Sequence, residues 1–197
     1  PLVLIDRVLA GHEADAVMAD NVSGAYEAVR HLLAGGYKRV GCVTGPLSIS
    51  TGSGRFAGYR KALEEAGVAL DSSLVRVSDF SEEGGRLAMR ELLEQGERPE
   101  AVLLGNHLMT IGGLHAIAKA ELAVPADIAV VGYDDMSWAS LLRTPLTTVA
   151  QPTYDMGREA ARLLLSRLQG YSGVPRTVVL SPSLMIRESS APRSAFV

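Results

Sequence analysis

The chain has one cysteine, one tryptophan and three phenylalanines in 197 residues. Cys42 has no cysteine to pair with, which excludes an internal disulfide and any multi-cysteine zinc site. Positive charge is also scarce. Nineteen Lys and Arg stand against 22 Asp and Glu, a formal net charge of -3. Without the basic surplus that binding a phosphate backbone requires, the chain alone is expected to be a poor DNA binder. No stretch approaches the 18 uninterrupted apolar residues of a membrane helix. Pro1 to Arg7 show none of the n-region, long apolar run or cleavage site of a signal peptide, so the expectation is a cytoplasmic chain with no membrane contact. What is abundant is apolar material. Hydrophobic residues make up 47% and charged residues 21%, a globular balance in a length that suits one domain or two small lobes.

Short apolar runs alternate with helix-length amphipathic segments. Leu2 to Ile5, Ala16 to Ala19, Val40 to Thr44, Leu74 to Val77, Ala101 to Leu104 and Ile128 to Val131 predict strands. Their length and β-branched content suit strands buried on both faces, as in parallel sheets. Between them, Ala25, Ala28, Val29, Leu32 and Leu33 form a helical stripe ending at Gly35-Gly36. Three further stripes follow, around Phe56 to Ala66, Leu87 to Leu93 and Ile111 to Ala118, and a last helix spans about Tyr154 to Leu168. A strand–helix–strand repeat of this spacing predicts an α/β fold with a doubly wound parallel sheet.

Ligands of such sheets bind beyond the carboxyl ends of the strands. Asp6, Asp20, Phe80, Asn106 and Asp134 fall at or just past those ends. Each alone is ordinary turn chemistry. Together, carboxylates and an amide around an aromatic ring suit a polyhydroxylated ligand, and Arg55 could add its fork of donors. Enzyme readings find no support. There is no G-x-x-x-x-G-K-S/T phosphate loop, no G-x-G-x-x-G after a strand and no G-x-S-x-G elbow. His12, His31, His107 and His115 have no metal-ligand spacing, and neither a catalytic residue, a metal nor a cofactor is expected. Asp134 and Asp135, adjacent in sequence, are expected to diverge, one facing the crevice and the other capping the turn or next helix.

The runs IAVVGYDD (128–135), PLTTVAQP (145–152) and LMIRES (184–189), with Gly157 between the last two, resemble the C-terminal half of LacI/GalR-type bacterial transcription regulators. LIDR (4–7), Asp20-Asn21 with Gly24-Ala25, His31-Leu32 with Gly36-Tyr37, and Arg55 with Gly58-Tyr59 extend the resemblance in order over residues 2–190. It implies a periplasmic-binding-protein-like effector core of two lobes joined by three chain crossings. One lobe is nearly complete and the other partial. Residues 1–21 would be a remnant of the first lobe, 22–146 the second lobe, 147–176 the return to the first, 177–190 a final strand back to the second, and 191–197 a disordered tail. By the same resemblance, Arg55 grips hydroxyls or a carboxylate, and Asp134 accepts hydroxyl protons. Asn106 and Gln151 are binding amides, Phe80 stacks on the ligand, Asp6 approaches it, and Thr51 supplies a small hydroxyl. Where the family carries Asn-Asp, this chain has Asn106-His107.

The implied function is an effector-sensing core, with a sugar the expected ligand. It would act in a homodimer and reach DNA only through a helix-turn-helix head preceding Pro1. The alternative is a sugar-binding protein of a transport system.

Overall fold

The computed structural model describes residues 1–8 and 13–195. His12 and the last two residues lie outside them. Six strands form the larger sheet: β3 (Val40–Thr44), β4 (Val75–Val77), β5 (Ala101–Leu104), β6 (Ala129–Tyr133), β7 (Thr147–Ala150) and β9 (Ser183–Met185). Their spatial order is β4-β3-β5-β6-β7-β9. All neighbours are parallel except β7 and β9, so the expected parallel sheet carries one antiparallel edge.

The doubly buried pattern of the central strands sorts side chains to two faces. Cys42, Leu103 and Val131 pack with Ala25, Val29, Leu32 and Tyr59 of helices α1 (Asn21–Ala34) and α2 (Ser50–Glu65). Val43, Val102, Leu104 and Val130 pack on the other side with Met89, Leu92 and Ile117 of α3 (Glu82–Leu93) and α4 (His107–Lys119). Burial pushes the Cys42 thiol up to about 12, as befits an inert core residue. Three helices start on side-chain caps. Asp20 accepts from Ser23 N at 2.9 Å, Ser81 from Gly84 N at 2.9 Å and Asn106 from Met109 N at 2.8 Å. Helices α1 and α2 give way to left-handed glycines, Gly36 (φ +91°) and Gly67 (φ +68°).

A second, three-stranded parallel sheet holds β1 (Val3–Ile5), β2 (Asp15–Ala19) and β8 (Thr177–Leu180) in the order β1-β2-β8. Helix α5 (Thr153–Leu168) covers it through Met156, Ala160 and Leu163 against Val17 and Ala19. Below this sheet, buried Asp15 accepts from Arg167 Nη2 at 2.8 Å, Arg176 Nη2 at 2.9 Å and the Arg176 amide at 2.7 Å. One carboxylate thus ties β2, α5 and the entry to β8 together.

The chain passes between the sheets three times: from β2 to α1, from β7 to α5, and from β8 to β9. The passages lie side by side, since Asp20 N donates to Leu180 O at 2.9 Å and Ala150 pairs with Ser183. Two expected boundaries move. Thr147–Ala150 is still a strand of the large sheet, so the return begins after Ala150 rather than at residue 147. Residues 177–190 are not one strand. Thr177–Leu180 completes the small sheet, and only Ser183–Met185 joins the large one.

The expected disordered tail also differs over the residues described. Ala191 O accepts from the Tyr37 hydroxyl at 2.7 Å, Arg193 N donates to Gly35 O at 2.9 Å, and the Arg193 guanidinium pairs with Glu100. These contacts dock the segment against the loop after α1 and the residue before β5.

Candidate functional site

The large sheet reverses direction between β3 and β5, because β4 follows β3 on one side and β5 lies on the other. A crevice opens at the carboxyl ends of strands flanking such a reversal. The backbone there is unusual. Among the described residues, four non-glycine residues have positive φ, and three are predicted site residues at or just past strand ends: Asp6 (φ +67°), Phe80 (φ +67°) and Asp134 (φ +76°). The left-handed conformation costs a residue with a Cβ about 1–2 kcal/mol, a strain that clusters at functional sites.

Asp134, Gln151 and Asn106 come together around the start of α4. Asp134 Oδ1 accepts from Gln151 Nε2 at 2.6 Å, and Asp134 Oδ2 lies 3.3 Å from both the backbone N and Nδ1 of His107. Asp134, Gln151 and His107 face a cavity of about 550 Å3, which Met136, Ala150 and Thr153 help to line. Asn106 is more committed than its resemblance implied. Its Oδ1 caps α4 and its Nδ2 donates to Phe80 O at 3.0 Å, which fixes the turn carrying the Phe80 ring. That ring packs flat against Gly45, where a Cβ would fall inside it.

Arg55 is also largely spoken for. It is 4% exposed, with Nε donating to Asn21 Oδ1 at 2.8 Å and Nη1 to Gly105 O, while its guanidinium carbon lies 3.7 Å from the Tyr133 ring centroid. The side chain therefore bridges α2 to the end of β5 across the crevice floor. Thr51 is buried in the first turn of α2. Asp6 makes no hydrogen bond to the second lobe among the described residues. It is brought near through Arg7, whose guanidinium carbon sits 5.0 Å from the Phe80 ring centroid.

Sequence reasoning missed Arg7 and Tyr133 as site residues. The sole signal for Tyr133 was its place one residue before Asp134. Asp134 and Asp135 take different partners, but both line the cavity, so the expected division between a crevice residue and a cap does not hold, and Asp135 caps nothing. It pairs with Arg187 at 2.8 Å and accepts from Thr148 Oγ1 at 2.6 Å, and the arginine holds its carboxyl below the usual carboxylate range.

Seven buried side-chain nitrogen or oxygen atoms have no hydrogen-bond partner among the described residues. Five belong to this region: Asp6 Oδ1, Ser50 Oγ, Thr51 Oγ1, Tyr133 Oη and Gln151 Oε1. Burying a polar atom unpaired costs about 1–3 kcal/mol, and such atoms are rare in native folds. They sit just beyond β1 and β7, at the last residue of β6 and in the first turn of α2.

Comparison with known proteins gives the fold its family. Residues 29–190 match the model of the periplasmic binding protein-like domain. The chain belongs to that family, in its LacI-type branch. This periplasmic-binding-protein-like domain is 36% identical over 96% of its length to the ribose operon repressor of Haemophilus influenzae, covering 57% of that protein. It is 41% identical over 86% of its length to the HTH-type transcriptional regulator CelR of Thermobifida fusca, covering 50% of it. Among solved structures, a CelR–cellobiose complex superposes with a TM-score of 0.90 at 39% identity, over 96% of the domain and 58% of that chain. The domain thus spans about half the length of the curated relatives it matches. None of its described helices is long and apolar enough to cross a membrane.

Proposed function

We propose that this domain is the effector-binding core of a LacI-type transcription regulator and that its effector is a sugar. The observation that carries the reading is the cluster of unpartnered polar atoms at the ends of β1, β6 and β7 and the start of α2. Its mixed donors and acceptors beside the Phe80 ring suit hydroxyls on a ring with an apolar face. Asp134 and Gln151 recognise hydroxyls, Phe80 stacks, Asp6 closes from the first lobe, and Thr51 adds a hydroxyl contact. Arg55 and Asn106 hold the floor in shape and present their remaining capacity to the ligand. The names of the relatives, a ribose operon repressor and a regulator in complex with cellobiose, favour a regulator over a transport protein and a sugar over other effectors.

In this reading the domain works without catalysis, in the cytoplasm and as a homodimer. DNA contact falls to a helix-turn-helix outside these residues. Sugar binding favours one relative arrangement of the lobes, and the dimer passes that preference on. A thermal-shift screen with cellobiose, D-ribose and D-glucose tests it, with Asp134→Ala and Gln151→Ala as controls. We expect at least one sugar to raise the melting temperature of the wild type and neither variant to respond to it. A shift equal in all three proteins would remove the site from these residues.

A further inference from the structure

We propose that His107 is a specificity-determining residue that reads a ligand hydroxyl through its Nε2; this rests on the sugar-effector reading above. His107 opens α4, and its side chain lines the cavity beside Asp134 with about two-fifths of its surface exposed. Its Nδ1 faces Asp134 Oδ2 at 3.3 Å. An ionised carboxylate only accepts, so the ring nitrogen nearest it is the one carrying hydrogen. In the neutral ring this leaves Nε2 with a bare lone pair. The carboxylate therefore selects the tautomer as well as the orientation of the imidazole.

The same reasoning fixes Gln151. Its Nε2 donates to Asp134 Oδ1 at 2.6 Å, because the reverse amide orientation would set two acceptors against each other. Its Oε1 is left buried and unpartnered. Each oxygen of Asp134 thus already takes a donor from the protein, and the carboxylate acts partly through its two neighbours. The group it orients toward the cavity is the His107 imidazole, while Gln151 Oε1 stays buried beside the carboxylate. A neutral ligand that offers a hydroxyl donor fits the free lone pair of the neutral ring. A ligand that brings a carboxylate or phosphate here meets the Asp134 carboxylate and is disfavoured.

The experiment is calorimetric titration of the chain and its His107→Ala and Asp134→Ala variants with D-glucose, D-ribose and cellobiose, then with monodeoxy analogues of each sugar that binds. Circular dichroism checks that the variants remain folded. We expect His107→Ala to weaken the parent sugar about tenfold, the loss of one hydrogen bond in a site built for it. One monodeoxy analogue should bind poorly to wild type and no worse to His107→Ala, the non-additivity of a direct contact. Equal losses across the parent and every analogue would mean that His107 acts only through Asp134, and the proposal falls. Unchanged affinity in His107→Ala beside lost affinity in Asp134→Ala overturns it too, while leaving the site in place. If no sugar binds the wild type, the sugar reading itself fails and takes the proposal with it.

Discussion

Asp15 has the densest set of ionic contacts on a buried residue described above, far from the crevice. Two guanidinium groups and an amide hold its carboxyl well below the usual carboxylate range, the Arg167 hydrogen bonds foremost. An unfolded aspartate titrates near about 3.9, so between that value and the folded one the unfolded chain binds the extra proton. The stabilisation is fully present above about pH 5 and drains away as the pH falls through the acid range. Asp15→Asn removes the charge and is expected to lower stability by about 2 kcal/mol at neutral pH, a loss moderated because both arginines reach water. The variant should also lose part of the acid-side slope. Urea denaturation at pH 7 and pH 4 checks both; equal losses at every pH would refute the assignment.

At the scale of elements, the segment after β9 has the same importance as a strand. A 3-10 turn at Glu188–Ser190 lies against β6 and β7. Ser189 Oγ donates to Val130 O at 2.6 Å and accepts from Thr147 N at 2.8 Å, and Ser190 Oγ bonds both Thr147 Oγ1 and His31 Nε2. Ser189→Ala leaves a carbonyl and an amide unpaired in a dry interior. A loss of about 2 kcal/mol is expected in chemical denaturation. No periodicity announces this plug, and from the sequence residues 187–190 are expected to end the final strand. The same blindness explains the misplaced boundaries. Thr147–Ala150 and Ser183–Met185 mix polar with apolar residues and do not stand out, and their sheet membership is decided by pairing partners remote in sequence. The strands beginning at Val40, Ala101 and Ala129 were legible because burial on both faces leaves a nearly continuous apolar run.

The site was legible in the same uneven way. Strand ends and turn-forming residues pointed to Asp6, Phe80, Asn106 and Asp134. Nothing in the sequence disclosed that Asn106 spends its amide on the helix cap and on Phe80 O, or that Arg7 reaches the Phe80 ring. Those are contacts between elements, and only packing creates them.

For the whole molecule, the small excess of acidic over basic residues described at the outset bears on DNA. These 197 residues alone should give no shifted band with operator DNA at nanomolar protein in a gel-shift assay at physiological salt; tight binding there would contradict the division of labour proposed above.

The three side-by-side passages between the sheets have a mechanical consequence. The Asp20–Leu180 bond ties two of the passages together where they leave the small sheet, and the Ala150–Ser183 pairing ties two of them where they meet the large one. The three passages are thus bound to one another at both ends, and a turn about the line they share is the relative motion expected to disturb the fewest of these bonds.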